Sequence, residues 1–166
     1  MTPQVINVAI GLAVACYSDI RYWKIPNALT FPMMVLGLLV NFGLGTGMVG
    51  VMGFAVATVI HFPLYFLGVQ KGGDAKMLMA LGAFIGWQEV VETTLWEAVV
   101  FIPVGFGVLI AMGKLPNLVQ SFKYSMAKAK GESAGEPPEQ TYMPFAPVIA
   151  AAWLLAHNTR WLDWSV

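Results

Sequence analysis

Charge and cysteine are what this sequence has least of. Only 11% of its 166 residues are Asp, Glu, Lys or Arg, and nine acids cancel nine bases to a formal net charge of zero. Phosphate binding draws on a surplus of Lys and Arg on one face, so no nucleic-acid partner is expected. A single cysteine, Cys16, excludes an intramolecular disulfide, a redox pair and a Cys-rich metal site, and its place in an apolar stretch suits plain packing. No Lys or Arg precedes the first apolar stretch, which argues against a cleavable secretory signal with a basic n-region. That stretch is expected to be a mature helix.

What the chain has in excess is apolar surface. At 58% hydrophobic, 166 residues carry more of it than one small water-soluble core can hide, and a lipid solvent removes the difficulty. A helix crossing the hydrocarbon takes about 20 mostly apolar residues. About six such stretches are present, at roughly 3–19, 28–45, 47–68, 74–90, 94–112 and 144–161. The expected fold is all-α: a polytopic integral membrane bundle of about six transmembrane helices, one domain over residues 1–166. The fourth stretch is short and Gly-rich, and its outer end runs into Gln88, Glu89 and Glu92, which suits a tilted or partly interfacial helix.

Orientation follows from the basic residues, which accumulate in cytoplasmic loops. With the N-terminus outside, the inner loops hold Arg21, Lys24, Lys71, Lys76, Lys114, Lys123, Lys128 and Lys130, leaving Arg160 on the outer side. Asp19 and Asp74 then share the inner face, and Glu89 and Glu92 fall outside. The stretch at about 113–143, rich in Lys, Gly and Pro, reads as a cytoplasmic loop. Its first part suits an amphipathic helix on the anionic inner surface.

Two blocks carry the chemistry. The first, Ser18-Asp19-Ile20-Arg21-Tyr22-Trp23-Lys24-Ile25-Pro26-Asn27, closes the first helix and opens the second. Pro26 cannot continue a helix and biases Ile25 toward extended backbone, while Arg21 and Lys24 suit the lipid headgroups. Read alone, Asp19 is better taken as an ordinary interfacial acid paired with Arg21 or Lys24. The second block is Lys71-Gly72-Gly73-Asp74-Ala75-Lys76, where paired glycines permit a close approach that side chains would block. Asp74 then begins a helix, and read alone it is equally an N-cap.

Taken together, these blocks resemble the prepilin peptidases, a family of membrane aspartic proteases that includes the preflagellin peptidases. Asp19-Ile20-Arg21 followed by Ile25-Pro26-Asn27 is similar to the family's first signature, an Asp and Arg leading into Ile-Pro-Asn. Gly73-Asp74-Ala75-Lys76 is similar to the second, Gly-x-Gly-Asp-x-Lys. Lys71 stands where that signature has its first glycine, and Gly72 occupies the variable position. Pro144-Phe145-Ala146-Pro147 looks like the family's late proline-containing segment.

The resemblance implies that Asp19 and Asp74 are the catalytic pair, with Arg21, Ile25, Pro26, Asn27, Gly72, Gly73 and Lys76 supporting them. No cofactor or metal is implied. The implied substrate is a prepilin or pseudopilin precursor, with a short basic leader ahead of a hydrophobic helix, cut at the cytoplasmic face of the bacterial inner membrane. Larger members add a cysteine-containing cytoplasmic region and N-methylate the product. The sequence enters its first helix almost at once without those cysteines, so methyl transfer is not expected. The compact form is most similar to the stand-alone peptidases of tight-adherence (Flp-type) pilus systems.

Amide hydrolysis requires water to be activated and the leaving nitrogen protonated, and two carboxyl groups in opposite protonation states can do both. Carboxylates held within hydrogen-bond range cannot both ionise cheaply, so the pair titrates as a unit. Lys76 suits a hold on substrate or headgroup rather than a catalytic role.

Other intramembrane polar residues read more plainly. His61, with no second His or Cys to complete a ligand set, suits a neutral, hydrogen-bonded packing role. Glu97 is expected near the outer end of the fifth span, away from the proposed site and snorkelling. Trp87, Trp96, Trp153, Trp161 and Trp164 suit an outer aromatic belt. Two other classes compete with a peptidase. One is a small ion- or proton-coupled transporter, which would place its acids near the bilayer midplane rather than at span ends. The other is a non-enzymatic pilus or secretion assembly factor, against which the intact Asp motifs count.

Overall fold

A computed structural model of the protein describes residues 2–66, 70–111, 113, 120, 123, 124, 126, 127 and 144–159. Their regular elements are helices: α1 (Pro3–Tyr22), α2 (Asn27–Gly43), α3 (Gly47–Phe66), α4 (Gly72–Ala111) and α5 (Ala146–Thr159). No strand occurs among the described residues. The chain divides into two compact units, Met1–Val100 with Pro144–Val166, and Phe101–Met143.

In the first unit, α1 opens with Pro3, whose missing N–H is no loss in a first turn. It closes at Trp23, which adopts left-handed backbone (φ 56°) and returns its N–H to the carbonyl of Asp19 at 2.9 Å. Pro26, in extended conformation, then directs the chain into α2. The turn into α3 uses Gly45 at φ 75°, and Thr46 bonds both the backbone and the Oδ1 of Asn41.

The packing of α3 is inverted relative to a helix in a water-soluble bundle. Along α3 the buried residues are Gly47, Gly50, Gly53, Ala57 and His61, whereas Met48, Val59, Phe62 and Phe66 face outward. Small residues inside and large apolar ones outside let helices approach closely while offering hydrocarbon to lipid. A Cβ on Gly53 would collide with the backbone of Gly82 and Gly86, so α3 and α4 touch main chain to main chain. Asn41 donates to the carbonyls of Ala83 (2.8 Å) and Phe84 (3.0 Å), satisfying acceptors beside a break in α4.

That break is Gly86, at φ 83° and ψ 175°, a conformation open to glycine and costly to other residues. Beyond it the helix turns back. Gln70, two residues before the helix begins, bonds Glu97, past the break, at 2.5 Å, whereas in a straight helix Gly72 and Glu97 would stand about 38 Å apart. The sequence predicts two spans meeting between residues 90 and 94; the reversal occurs at Gly86 instead, because that glycine supplies the positive φ.

By length and composition, Pro3–Tyr22 and Gly47–Phe66 suit a membrane crossing, and Asn27–Gly43 is a shorter apolar helix. In the second unit, α4 continues through Pro103 to Ala111, and Gly113 at φ 64° returns its N–H to the carbonyl of Ile110. Most of the expected loop at 113–143 lies outside the described residues, as do Arg160, Trp161 and Trp164.

Candidate active site

Asp19 sits in the last turn of α1, only 2% exposed. Its Oδ2 accepts the backbone N–H of Phe145 at 2.5 Å and of Ala146 at 2.9 Å. These amides open α5, where backbone donors lack intrahelical partners and the helix dipole favours negative charge. Pro147 has no N–H, and the N–H of Val148 is taken by the carbonyl of Phe145, so the amides at 145 and 146 are the ones needing an outside acceptor. Asp19 therefore caps a helix far along the chain. The alternative reading of Asp19, an ion pair with Arg21 or Lys24, gives way to this cap: Arg21 lies over the ring of Tyr22, 5.7 Å from its centroid.

Asp74 occupies the first turn of α4, 4% exposed, and its carboxyl is hydrogen-bonded by the backbone of Lys71. An acid at the third helical position reaching back to the residue before the helix is the acidic half of a capping box. The charge of Asp19 acts on Asp74, and so does the opposite charge of Lys71. Two buried carboxyl groups from α1 and α4 thus lie in each other's field. Lys71 adopts no left-handed backbone; among the described residues Trp23 alone of the non-glycines does. A lysine in place of the signature glycine accordingly carries no conformational strain there.

The supporting residues lock the two blocks together. Ile25, 3% exposed, lies over Gly73, where an added Cβ would stand 3.2 Å from the Cβ and 3.3 Å from the carbonyl of Ile25. Gly72 similarly faces the ring of Tyr65 at 3.2 Å. Lys76 Nζ donates to Asn27 Oδ1 at 3.0 Å and sits 5.2 Å above the ring of Phe31. Ser18 Oγ donates to the carbonyl of Lys24 at 2.8 Å, pinning the loop that Pro26 ends. Each block therefore contributes one aspartate and the contacts that place the other.

Sequence reasoning missed two features of the site. The amides of Phe145 and Ala146 are backbone groups without a side-chain signature; the proline-flanked segment at 144–147 was their only trace. Glu97 is not at an outer, snorkelling position: it is 5% exposed, within the field of Asp74, and its Oε1 accepts from Gln70 Nε2 at 2.5 Å. Trp153 also departs from the belt expectation, being 4% exposed and donating to Glu89 Oε1 at 3.1 Å. His61 is buried and hydrogen-bonded, as its packing role requires. Among the described residues no three His, Cys, Asp or Glu side chains converge as a metal site.

Comparison with known proteins identifies the family. The type IV leader peptidase family matches residues 6–112. A prepilin leader peptidase/N-methyltransferase of Aeromonas hydrophila is 31% identical over 108 residues, covering 60% of this chain and 37% of that protein. Another of that description from Myxococcus xanthus is 23% identical over 150 residues, 85% of this chain and 42% of that protein. A preflagellin peptidase of Methanocaldococcus jannaschii is 33% identical over 84 residues, 46% of this chain and 36% of that protein. The chain spans less than half the length of these relatives. No solved structure matches it significantly.

Proposed function

Because this chain belongs to the type IV leader peptidase family, we propose that it is a membrane-embedded aspartic endopeptidase that removes leader peptides from prepilin or pseudopilin precursors. Asp19 and Asp74 form the catalytic dyad. The single observation that carries this reading is the burial of both carboxyls on separate helices, with the two sequence blocks interlocked around them.

One carboxylate takes a proton from water while the other, protonated, polarises the scissile carbonyl; the proton then passes to the leaving nitrogen. Asp19 commits Oδ2 to two amides of α5, which leaves Oδ1 to address water. The rigid cap is useful because general acid–base chemistry depends on fixed distances of about 3 Å. The chain is a multi-pass protein of the inner membrane with about six spans, its N-terminus outside and the dyad at the cytoplasmic boundary. A substrate helix held in the bilayer presents its leader junction at a constant depth, and a site at that depth gains by orientation. The precursors proposed are those of Flp-type pilus systems.

The test is co-expression of the full chain with candidate precursors, with mature product followed by gel mobility and mass. Cutting by the native protein and its loss in both Asp19→Ala and Asp74→Ala is the expected outcome. Continued cutting in either variant would overturn the dyad.

A further inference from the structure

We propose that Gln70, clamped between His61 and Glu97, is a positioning latch that fixes the glycine-bearing first turn of α4, which carries Asp74. This inference rests on the peptidase reading for its catalytic consequence, but not for its structural one.

The contacts are continuous. Gln70 Oε1 lies 3.0 Å from His61 Nδ1, and Gln70 Nε2 donates to Glu97 Oε1. The other ring nitrogen of His61, Nε2, lies 3.1 Å from Thr94 Oγ1. His61 belongs to α3, and Thr94 and Glu97 to the returning half of α4. Gln70 belongs to neither; it stands in the connection immediately before Lys71-Gly72-Gly73-Asp74. Both ends of its amide are thus occupied by residues of two helices, and the connection cannot shift without breaking one of those bonds.

The location makes this more than packing. Two glycines separate Lys71 from Asp74, and glycine loses more freedom on ordering than any other residue, so this first turn of α4 has little stiffness of its own. On one side the turn is fixed by Ile25 over Gly73, and on the other by Gln70. His61 is fully inaccessible and Glu97 5% exposed, with Gln70 and Thr94 half-buried between them, and among the described residues Glu97 Oε2 has no hydrogen-bond partner. Burying a carboxyl with one oxygen unmatched is costly, so a purely apolar contact would serve stability better. A polar pair here is explained by directional hold on Gln70. Gln70 immediately precedes Lys71, whose backbone is hydrogen-bonded to the carboxyl of Asp74, which ties the latch to that aspartate.

The test uses the full chain in lipid nanodiscs, with Gln70→Leu, Glu97→Leu, the double variant and Glu97→Gln. Two quantities are read: backbone amide exchange over residues 70–75, and kcat and KM on a synthetic precursor with a Lys/Arg leader joined to a hydrophobic helix. Gln70→Leu and Glu97→Leu should each raise exchange in 70–75 about tenfold with exchange in α1 unchanged, and lower kcat about tenfold or more with KM within about threefold, as a misplaced catalytic group does. The double variant should be no worse than either single one, because both break one connection. Glu97→Gln keeps an acceptor for Gln70 and should restore both quantities to within about threefold of the native values. Unchanged exchange at 70–75 in Gln70→Leu, or additive losses in the double variant, would overturn the latch. A native protein that fails to cut any precursor would count against the peptidase reading, and the exchange data would still decide on the latch.

Discussion

Lys76 Nζ and Asn27 Oδ1, 3.0 Å apart, join two blocks that the sequence separates by two helices. The bond explains why each block ends as it does: the asparagine after Ile25-Pro26 is the acceptor for the lysine that follows Asp74. A charge-assisted hydrogen bond at a partly exposed position contributes modestly to stability, about 1 kcal/mol. Lys76→Met is therefore expected to leave the unfolding midpoint nearly unchanged and to lower the cleavage rate several-fold, as the two motifs lose one link. Thermal unfolding in detergent and initial cleavage rates measure both effects.

Asp19 has an observed duty and a proposed one. Its Oδ2 caps α5, and in the proposed mechanism its carboxyl is half of the dyad. Asp19→Asn keeps an oxygen for both amides and is expected to fold within about 1 kcal/mol of the native protein while losing activity; Asp19→Ala strands two amides and should cost about 1–3 kcal/mol as well. Denaturant titration in micelles distinguishes the two variants, and equal stability would refute the cap.

Glycine positions offer a graded test of packing. Gly73→Ala places a methyl 3.2 Å from Ile25 and should lower activity about tenfold by moving Asp74. Gly53→Ala drives a methyl into the backbone of Gly82 and Gly86 and should destabilise the bundle by about 1–3 kcal/mol. Gly43→Ala, with nothing within 4 Å, is the control and should match the native protein. Yield of folded protein and cleavage rate read the series.

Much of the site is legible in the sequence because its residues are local. Asp19 lies a few positions from Ile25-Pro26-Asn27, and Asp74 follows paired glycines; both blocks are short enough for their residue types to announce a turn and an acid. Inverted burial is legible too, since a chain this apolar has little else to do with its large side chains. Glu97 was misplaced for a physical reason: hydropathy cannot tell which glycine of Gly82 and Gly86 breaks the helix, and the choice of Gly86 moves every residue after it relative to Asp74. The cap from Phe145 and Ala146 was hidden because backbone donors leave no trace in residue identity. Trp153 escaped for a related reason. An indole suits an interface or a buried acceptor equally, and Glu89 decides between them only once α4 and α5 are in place.

Glu89 gives a prediction away from the site. Its Oε1 accepts from both Trp153 Nε1 and His157 Nδ1, joining α4 to α5. Glu89→Ala leaves the buried indole N–H without its acceptor and should cost about 1–3 kcal/mol, with Trp153 fluorescence shifting during unfolding at lower denaturant. An unaltered midpoint would show that the pair contributes nothing.

The pH dependence of cleavage should be bell-shaped. At low pH both carboxyls carry protons and no base remains to activate water; at high pH both are ionised and no acid remains to protonate the leaving group. A profile of kcat/KM flat across the range where carboxyl groups titrate would contradict the shared proton.

The most direct test of the central claim is the single-turnover rate of leader cleavage by purified native protein, Asp19→Asn, Asp74→Asn and the double variant in lipid. Two groups acting as one unit predict that each single substitution lowers the rate by about 10³-fold or more, with the double variant no slower than either. A single variant that still cuts at the native rate would contradict a dyad of Asp19 and Asp74.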